Sequence, residues 1–157
     1  METVIIFVED EGKSQVAETL LQLQKDSLTD SDKEQLLVYV TRAFLYLKAV
    51  GIPSALNQFF VTKRMDEGNY TILIAKKLRN HRPLLEFRVN WRGAGAFRAI
   101  FFEYLSEHAQ VLVFYKAMIK ETTYSDQFEQ MIQEAKAFRF RFLDNPEKYI
   151  HVKQGDE

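Results

Sequence analysis

The chain has 157 residues, no cysteine, 46% apolar and 13% aromatic residues, and 21 Lys and Arg against 22 Asp and Glu. That length suits one domain able to bury a core, and the aromatic content with only three prolines excludes a disordered chain. Without cysteine there is neither a disulfide framework nor a zinc–thiolate site, which fits a reducing compartment, and a net charge of −1 taken alone points away from nucleic acid.

In chain order, residues 3–8 (TVIIFV) are a β-branched and aromatic run that reads as a strand, broken at Gly12. From Ser14 the apolar positions Val16, Ala17, Leu20, Leu21 and Leu23 recur at helical spacing, so a first amphipathic helix is expected to end near residues 25–27. Ser31 with Glu34 three residues on is a capping-box signature for a second helix. Leu36, Val40, Ala43, Phe44 and Leu47 form its apolar stripe, and Gly51 followed by Pro53 stops it. The two helices form a hairpin that needs a sheet to cover its stripe.

Beyond Pro53 the period changes to two. Residues 58–62 and 70–75 read as strands on either side of an Asp66-Glu67-Gly68-Asn69 turn. Leu85, Phe87, Val89 and Trp91 alternate with Glu86, Arg88 and Asn90, the pattern of a half-buried strand with its polar residues outward. The glycine-bearing segment 92–95 turns it. Residues 97–104 return, 106–109 turn again, and 110–119 are a third run, completing a meander. A last helix capped by Ser125 or Asp126 carries Phe128, Met131, Ile132, Ala135, Phe138 and Phe142 on one face and ends at Pro146. The sum is one α+β domain over residues 1–157, with a core at about 3–142 and a short C-terminal tail.

Nothing at the start of the chain has the form of a targeting signal, and the most apolar long stretch, residues 36–56, is interrupted by Arg42, Lys48, Gly51 and Pro53. A soluble, cytoplasmic protein without membrane contact is therefore expected.

Divided along the chain, the neutrality disappears. Residues 1–35 carry net −6, residues 36–62 net +2, residues 63–98 net +6 and residues 99–157 net −3. A basic middle between acidic ends can build a polyanion site on one face; a solvated basic surface would show the same counts. There is no Gly-rich phosphate loop, nucleotide fingerprint or nucleophile elbow, and His81, His108 and His151 have no metal-ligand spacing. The basic residues on strands remain. Arg98 is the most unusual, because it shares strand parity with Ile100, Phe102 and Tyr104, and a charge on an apolar face must be paired or sit at a cleft. Lys116 and Lys120 are four residues apart and so share one strand face.

The connector reaches Lys77-Leu78 and then Leu84-Leu85-Glu86-Phe87-Arg88-Val89. The next strand holds Phe97-Arg98-Ala99-Ile100-Phe101-Phe102, and the last leads to Lys120-Glu121-Thr122-Thr123. With the order strand, helical hairpin, basic connector, meander and final helix, these positions resemble the RelE/ParE toxin superfamily, and within it the HigB-like, phage-derived branch, over about residues 3–142. The chain departs from that branch in having Glu121 where a second Lys is common, no Pro before the final helix, and a longer connector at 54–75.

The resemblance implies a RelE-like fold, an N-terminal strand and helical hairpin packed on a mostly antiparallel sheet with a C-terminal helix. It implies the toxin of a type II toxin–antitoxin system, acting as a ribosome-dependent messenger-RNA endoribonuclease with no metal or cofactor. Its partners would be messenger RNA on the ribosome and a cognate antitoxin, for which a helix-turn-helix protein is one candidate. Arg88 and Arg98 would stabilise the phosphorane, and proton transfer would fall to Lys120, Lys77, His81 or Tyr124. Lys76, Arg79, Arg82, Arg92 and Lys116 would hold the RNA. Two other readings share the fold: a phage-derived module that binds without cutting, and a gyrase-targeting ParE-like toxin.

Overall fold

Each long helix of this chain carries one apolar stripe, and each stripe needs a sheet face to cover it. In a computed structural model, which describes residues 1–121 and 126–150, one five-stranded sheet supplies both faces. Its strands are β1 (Glu2–Phe7), β4 (Ala75–Lys77), β5 (Leu85–Trp91), β6 (Gly95–Leu105) and β7 (Ala109–Lys120), in the order β1-β7-β6-β5-β4. β5, β6 and β7 are the expected antiparallel meander. β4 extends it antiparallel at one edge, and β1 lies parallel to β7 at the other. Helices α1 (Gln15–Asp26) and α2 (Ser31–Val50) cover one face, and α4 (Asp126–Asp144) covers the other. The fold is α+β with a mostly antiparallel sheet.

Ser14 caps α1 as its position suggests, its hydroxyl accepting the Ala17 N–H at 3.2 Å. The cap of α2 is Asp30, one residue before the expected Ser31. Asp30 has extended backbone, so its carboxylate reaches the free amides of Asp32 at 2.9 Å and Lys33 at 3.2 Å. A charged acceptor also complements the helix dipole, which a Ser hydroxyl does not. Gly51 ends α2 at a φ of 69°, where a Cβ would lie 2.7 Å from both Gln110 Oε1 and Thr3 Oγ1. Buried Gln110 then holds the chain leaving the helix: Ile52 N–H donates to it at 2.9 Å, and it donates to Ile52 O at 2.7 Å. Leu36, Tyr39, Val40, Ala43 and Leu47 are fully buried, and Phe44 stacks on Phe87 with ring centroids 4.2 Å apart.

On the other face the six expected residues of α4 are buried against Ile100, Phe102, Val111, Val113 and Tyr115. β6 is thus enclosed from both sides, which is why it is apolar almost without alternation. The same cover corrects the reading of β5 as half-buried: Glu86 faces α4 and is fully buried. Arg141 fastens the helix by donating to both oxygens of Asp10, at 3.0 and 3.1 Å.

The connector holds a short helix α3 (Ser54–Asn57) and a separate two-stranded ribbon of β2 (Phe60–Lys63) and β3 (Asn69–Ile72). The expected strand 70–75 is in fact two. β3 pairs only with β2, while Ile74 and Ala75 are buried in the main core and draw the chain across to the large sheet. Tyr70 joins the two sheets. It stacks on Tyr39 with centroids 4.2 Å apart, its hydroxyl donates to Asn90 O at 2.6 Å, and it accepts the Asn90 N–H at 3.1 Å. Where β4 stops, the edge of β5 is therefore closed by a phenol rather than a strand.

Burial pushes the Tyr70 phenol up to about 12 from its ordinary value of 10.0. Above pH 10 the unfolded chain loses this proton while the folded chain keeps it until about 12. Its contribution to stability is complete below pH 10 and is lost as pH rises through that window. Tyr70→Phe is expected to cost about 1–3 kcal/mol at neutral pH by leaving Asn90 unsatisfied. The gap in thermal midpoint between the two proteins should then narrow steadily from pH 10 to 12.

Candidate functional site

Toward the β5–β6 turn, strand residues whose side chains share the α4 face line an open cleft of about 980 Å³. Its lining includes Arg88, Asn90, Trp91 and Arg92 from β5 and the turn, Ala96 and Arg98 from β6, and Lys120 from β7. Asp30 and Lys33 at the start of α2, with Glu121 after β7, complete it.

Arg88 and Arg98 stand directly opposite each other in the β5–β6 register. Like charges facing across a strand pair repel, so each needs compensation or water. Arg98 is compensated. Its Nε donates to Glu86 Oε2, the other oxygen of Glu86 lies 3.4 Å from Lys76 Nζ, and its guanidinium carbon sits 3.5 Å from the Phe128 ring centroid. Glu86 has no exposure and the Arg98 side chain 13%, so this is a buried pair with an aromatic cover. Glu86 is reached by Nε, one of the five guanidinium N–H donors of Arg98. Arg88 is exposed and pairs with no carboxylate among the described residues. The cleft floor thus presents one fixed guanidinium and one free one.

A bulge decides that Lys120 is there at all. The register runs Ile100↔Lys116 and then Phe101↔Phe114, leaving Tyr115 as an extra residue in β7. Without it, Ala117 and Ile119 would turn toward α4, and Lys116 and Lys120 would turn into the α1–α2 core. With it, Ala117 and Ile119 pack on the α1–α2 side and Met118 on the α4 side, so Lys116 and Lys120 share the face of Arg98. Lys120 faces Ala96 in the cleft, whereas Lys116 lies 3.2 Å from Glu134 of α4.

The turn that forms the cleft wall is sterically restricted. Gly95 has a φ of 98°, and a Cβ on it would meet Lys120 O at 2.6 Å. Lys33 secures the same wall, donating to Ala94 O and to Glu121 Oε1, each at 2.7 Å. Sequence reasoning did not single out Lys33. A signal was present, because a Lys in the first turn of a helix opposes the dipole and so belongs to some other interaction. From the sequence Glu86 is only a polar strand residue, and its burial comes from α4 lying over that face. Trp91 was likewise assigned only to the core, yet Arg64 and Arg92 lie over its ring at 5.2 and 5.3 Å and it lines the cleft.

Of the residues named from the sequence, Arg88, Arg92, Arg98 and Lys120 come together in this cleft. Lys76 reaches Glu86 from the edge strand. Lys77 and Arg82 line a different cleft, and Arg79 is exposed in the β4–β5 connection. His81 lies in that connection, its Nδ1 buried without a hydrogen-bond partner among the described residues. Tyr124 lies outside the described residues. Among those described, no cluster of three or more His, Asp or Glu is arranged to hold a metal ion, and no helix is long and apolar enough to cross a membrane.

No protein-family model matches the chain, and no curated protein is significantly similar to it. The chemistry therefore rests on the cleft, where the arginines Arg88, Arg92 and Arg98 and the lysines Lys33 and Lys120 stand with Trp91, a set suited to a phosphodiester.

Breaking a buried pair by removing one partner is far more costly than losing a surface pair. Glu86→Ala is expected to lower unfolding free energy by about 3–5 kcal/mol, and Lys33→Met, whose partner Glu121 is 67% exposed but which also leaves buried Ala94 O unsatisfied, by about 1–3 kcal/mol. Urea denaturation of the two variants measures both.

Proposed function

We propose that the chain is the toxin of a type II toxin–antitoxin system, a RelE-like endoribonuclease of the HigB-like branch that cuts messenger RNA on the ribosome without a metal. The observation that carries this reading is Arg88 opposite Arg98 on the floor of an open cleft with Lys120 on the same face. The element order supports it as well: strand, helical hairpin, connector, three-strand meander and closing helix, with the first strand parallel to the last.

In this reaction the ribose 2′-hydroxyl attacks the adjacent phosphorus and the bond to the 5′-oxygen breaks, leaving a cyclic phosphate and a free 5′-hydroxyl. Charge builds on the phosphoryl oxygens as the phosphorane forms. Arginine suits that task because its planar fork matches two oxygens and does not lose its proton. Arg98, held by Glu86, is preorganised for it, and exposed Arg88 closes from the facing strand. Lys120 is the proton-transferring side chain of the cleft, ahead of Lys77 and His81, which lie elsewhere. Arg92 and Trp91 hold the nucleotides beside the scissile bond. A cognate antitoxin would mask this cleft.

A second reading, a module of the same fold that binds without cutting, is favoured by the carboxylates of Asp30 and Glu121 at the cleft. Induced expression in bacteria separates the two. Growth arrest with codon-phased messenger-RNA 5′ ends is expected. Arg88→Ala is expected to reduce cleavage about 100-fold or more while leaving the thermal midpoint nearly unchanged, and Arg98→Lys, which keeps charge but not the fork, to reduce it comparably. Arrest without cuts would favour a gyrase-directed toxin, and absence of arrest the binding module.

A further inference from the structure

A second cleft, of about 440 Å³, opens at the far end of β5, and three cations line it: Lys77 of β4, Arg82 of the β4–β5 connection and Arg139 of α4. None of the three has a carboxylate partner among the described residues, and Nε of Arg139 is buried without a hydrogen-bond partner there. The one acid in the lining, Glu103, is engaged by the Gln110 side chain. Pro53, Leu56 and Pro83 supply apolar wall. Cations beside flat apolar surface suit a phosphate carrying a base.

Resting on the ribonuclease reading, we propose that this second cleft holds one nucleotide of the same single-stranded RNA, a few nucleotides from the scissile bond. β5 spans the two clefts, a separation of roughly 20 Å at ~3.3 Å per residue. The interval runs round the sheet edge: Lys77 and Lys76 are consecutive and exposed on the edge strand β4 and so leave opposite faces, Lys76 standing opposite Glu86 on the face of Arg88. A track of cations joining two basic clefts fits a strand of regularly spaced phosphates better than an acidic peptide. A cleft of this size between proline walls takes one unstacked nucleotide, not a duplex.

The test uses the full chain with fluorescein-labelled oligouridylates of four and twelve nucleotides, their affinities read by anisotropy across a range of salt. In Lys77→Ala/Arg82→Ala, both exposed positions, the salt slope for the twelve-mer should fall by about 0.7, the contribution of the one phosphate lost, with four-mer affinity unchanged. Arg139→Gln should move the twelve-mer in the same direction. An unchanged twelve-mer slope, equal loss on both lengths, or a twelve-base-pair duplex binding as tightly as the single strand would each overturn the proposal. A slope that falls in the double variant while Arg88→Ala leaves both lengths bound normally would uphold the second cleft and fail the ribonuclease reading of the first.

Discussion

The pairing of Glu86 with Arg98 is the constraint around which this sheet is organised. Two ionised side chains stand on a face that α4 otherwise fills with phenylalanine, isoleucine and methionine. Either charge alone at that depth would be strongly unfavourable, so each makes the other tolerable. The pair also joins elements: Lys76 brings in the edge strand β4, Arg98 lies on β6, and Phe128 covers the guanidinium from the first turn of α4. Register between β5 and β6, and the seating of α4, are thereby tied to one carboxylate. A one-residue slip of β5 would carry Glu86 into the α1–α2 core and separate it from both cations.

The cleft follows from that organisation. Once Arg98 is fixed, the register places Arg88 opposite it, and the bulge at Tyr115 turns Lys120 to the same face. The two glycines of the β5–β6 turn let β7 and α2 approach the turn closely, and Lys33 closes the approach by bonding to Ala94 and Glu121. Glu121, the carboxylate that follows Lys120, is thus met by a lysine from a helix start distant in sequence.

Most of the architecture was legible because its signals are local. The stripe of α4, the alternation of β5 and the Gly-Pro stop after α2 each reflect a periodicity or backbone preference within a few residues. What was not legible depended on distant chain. Ser31 and Asp30 are both good caps, and the choice between them lay in one residue of register. Residues 70–75 read as one strand because nothing in their composition tells Tyr70, which belongs to the ribbon, from Ala75, which belongs to the sheet. Arg98 could be singled out from parity alone, since an arginine among aromatic neighbours needs an explanation. Its partner could not, because Glu86 looks like an ordinary outward residue until α4 is laid over it. The bulge had no signal in the sequence at all.

Stability alone would not leave Arg88 where it is. Directly opposed like charges cost roughly 0.2–1 kcal/mol relative to neutral pairs, and Glu86, already shared between Arg98 and Lys76, gives Arg88 no contact of its own. A threonine or glutamine there would keep the strand and remove the repulsion. Nor is the arrangement needed to solubilise that face, since one arginine beside an open cleft would suffice. Two arginines line the same cleft at some cost to the fold, Arg98 paired with a buried carboxylate and Arg88 with no carboxylate partner among the described residues. Such local conflicts accumulate where a protein binds or transforms something. An anion between the two side chains would turn that repulsion into an attraction to both.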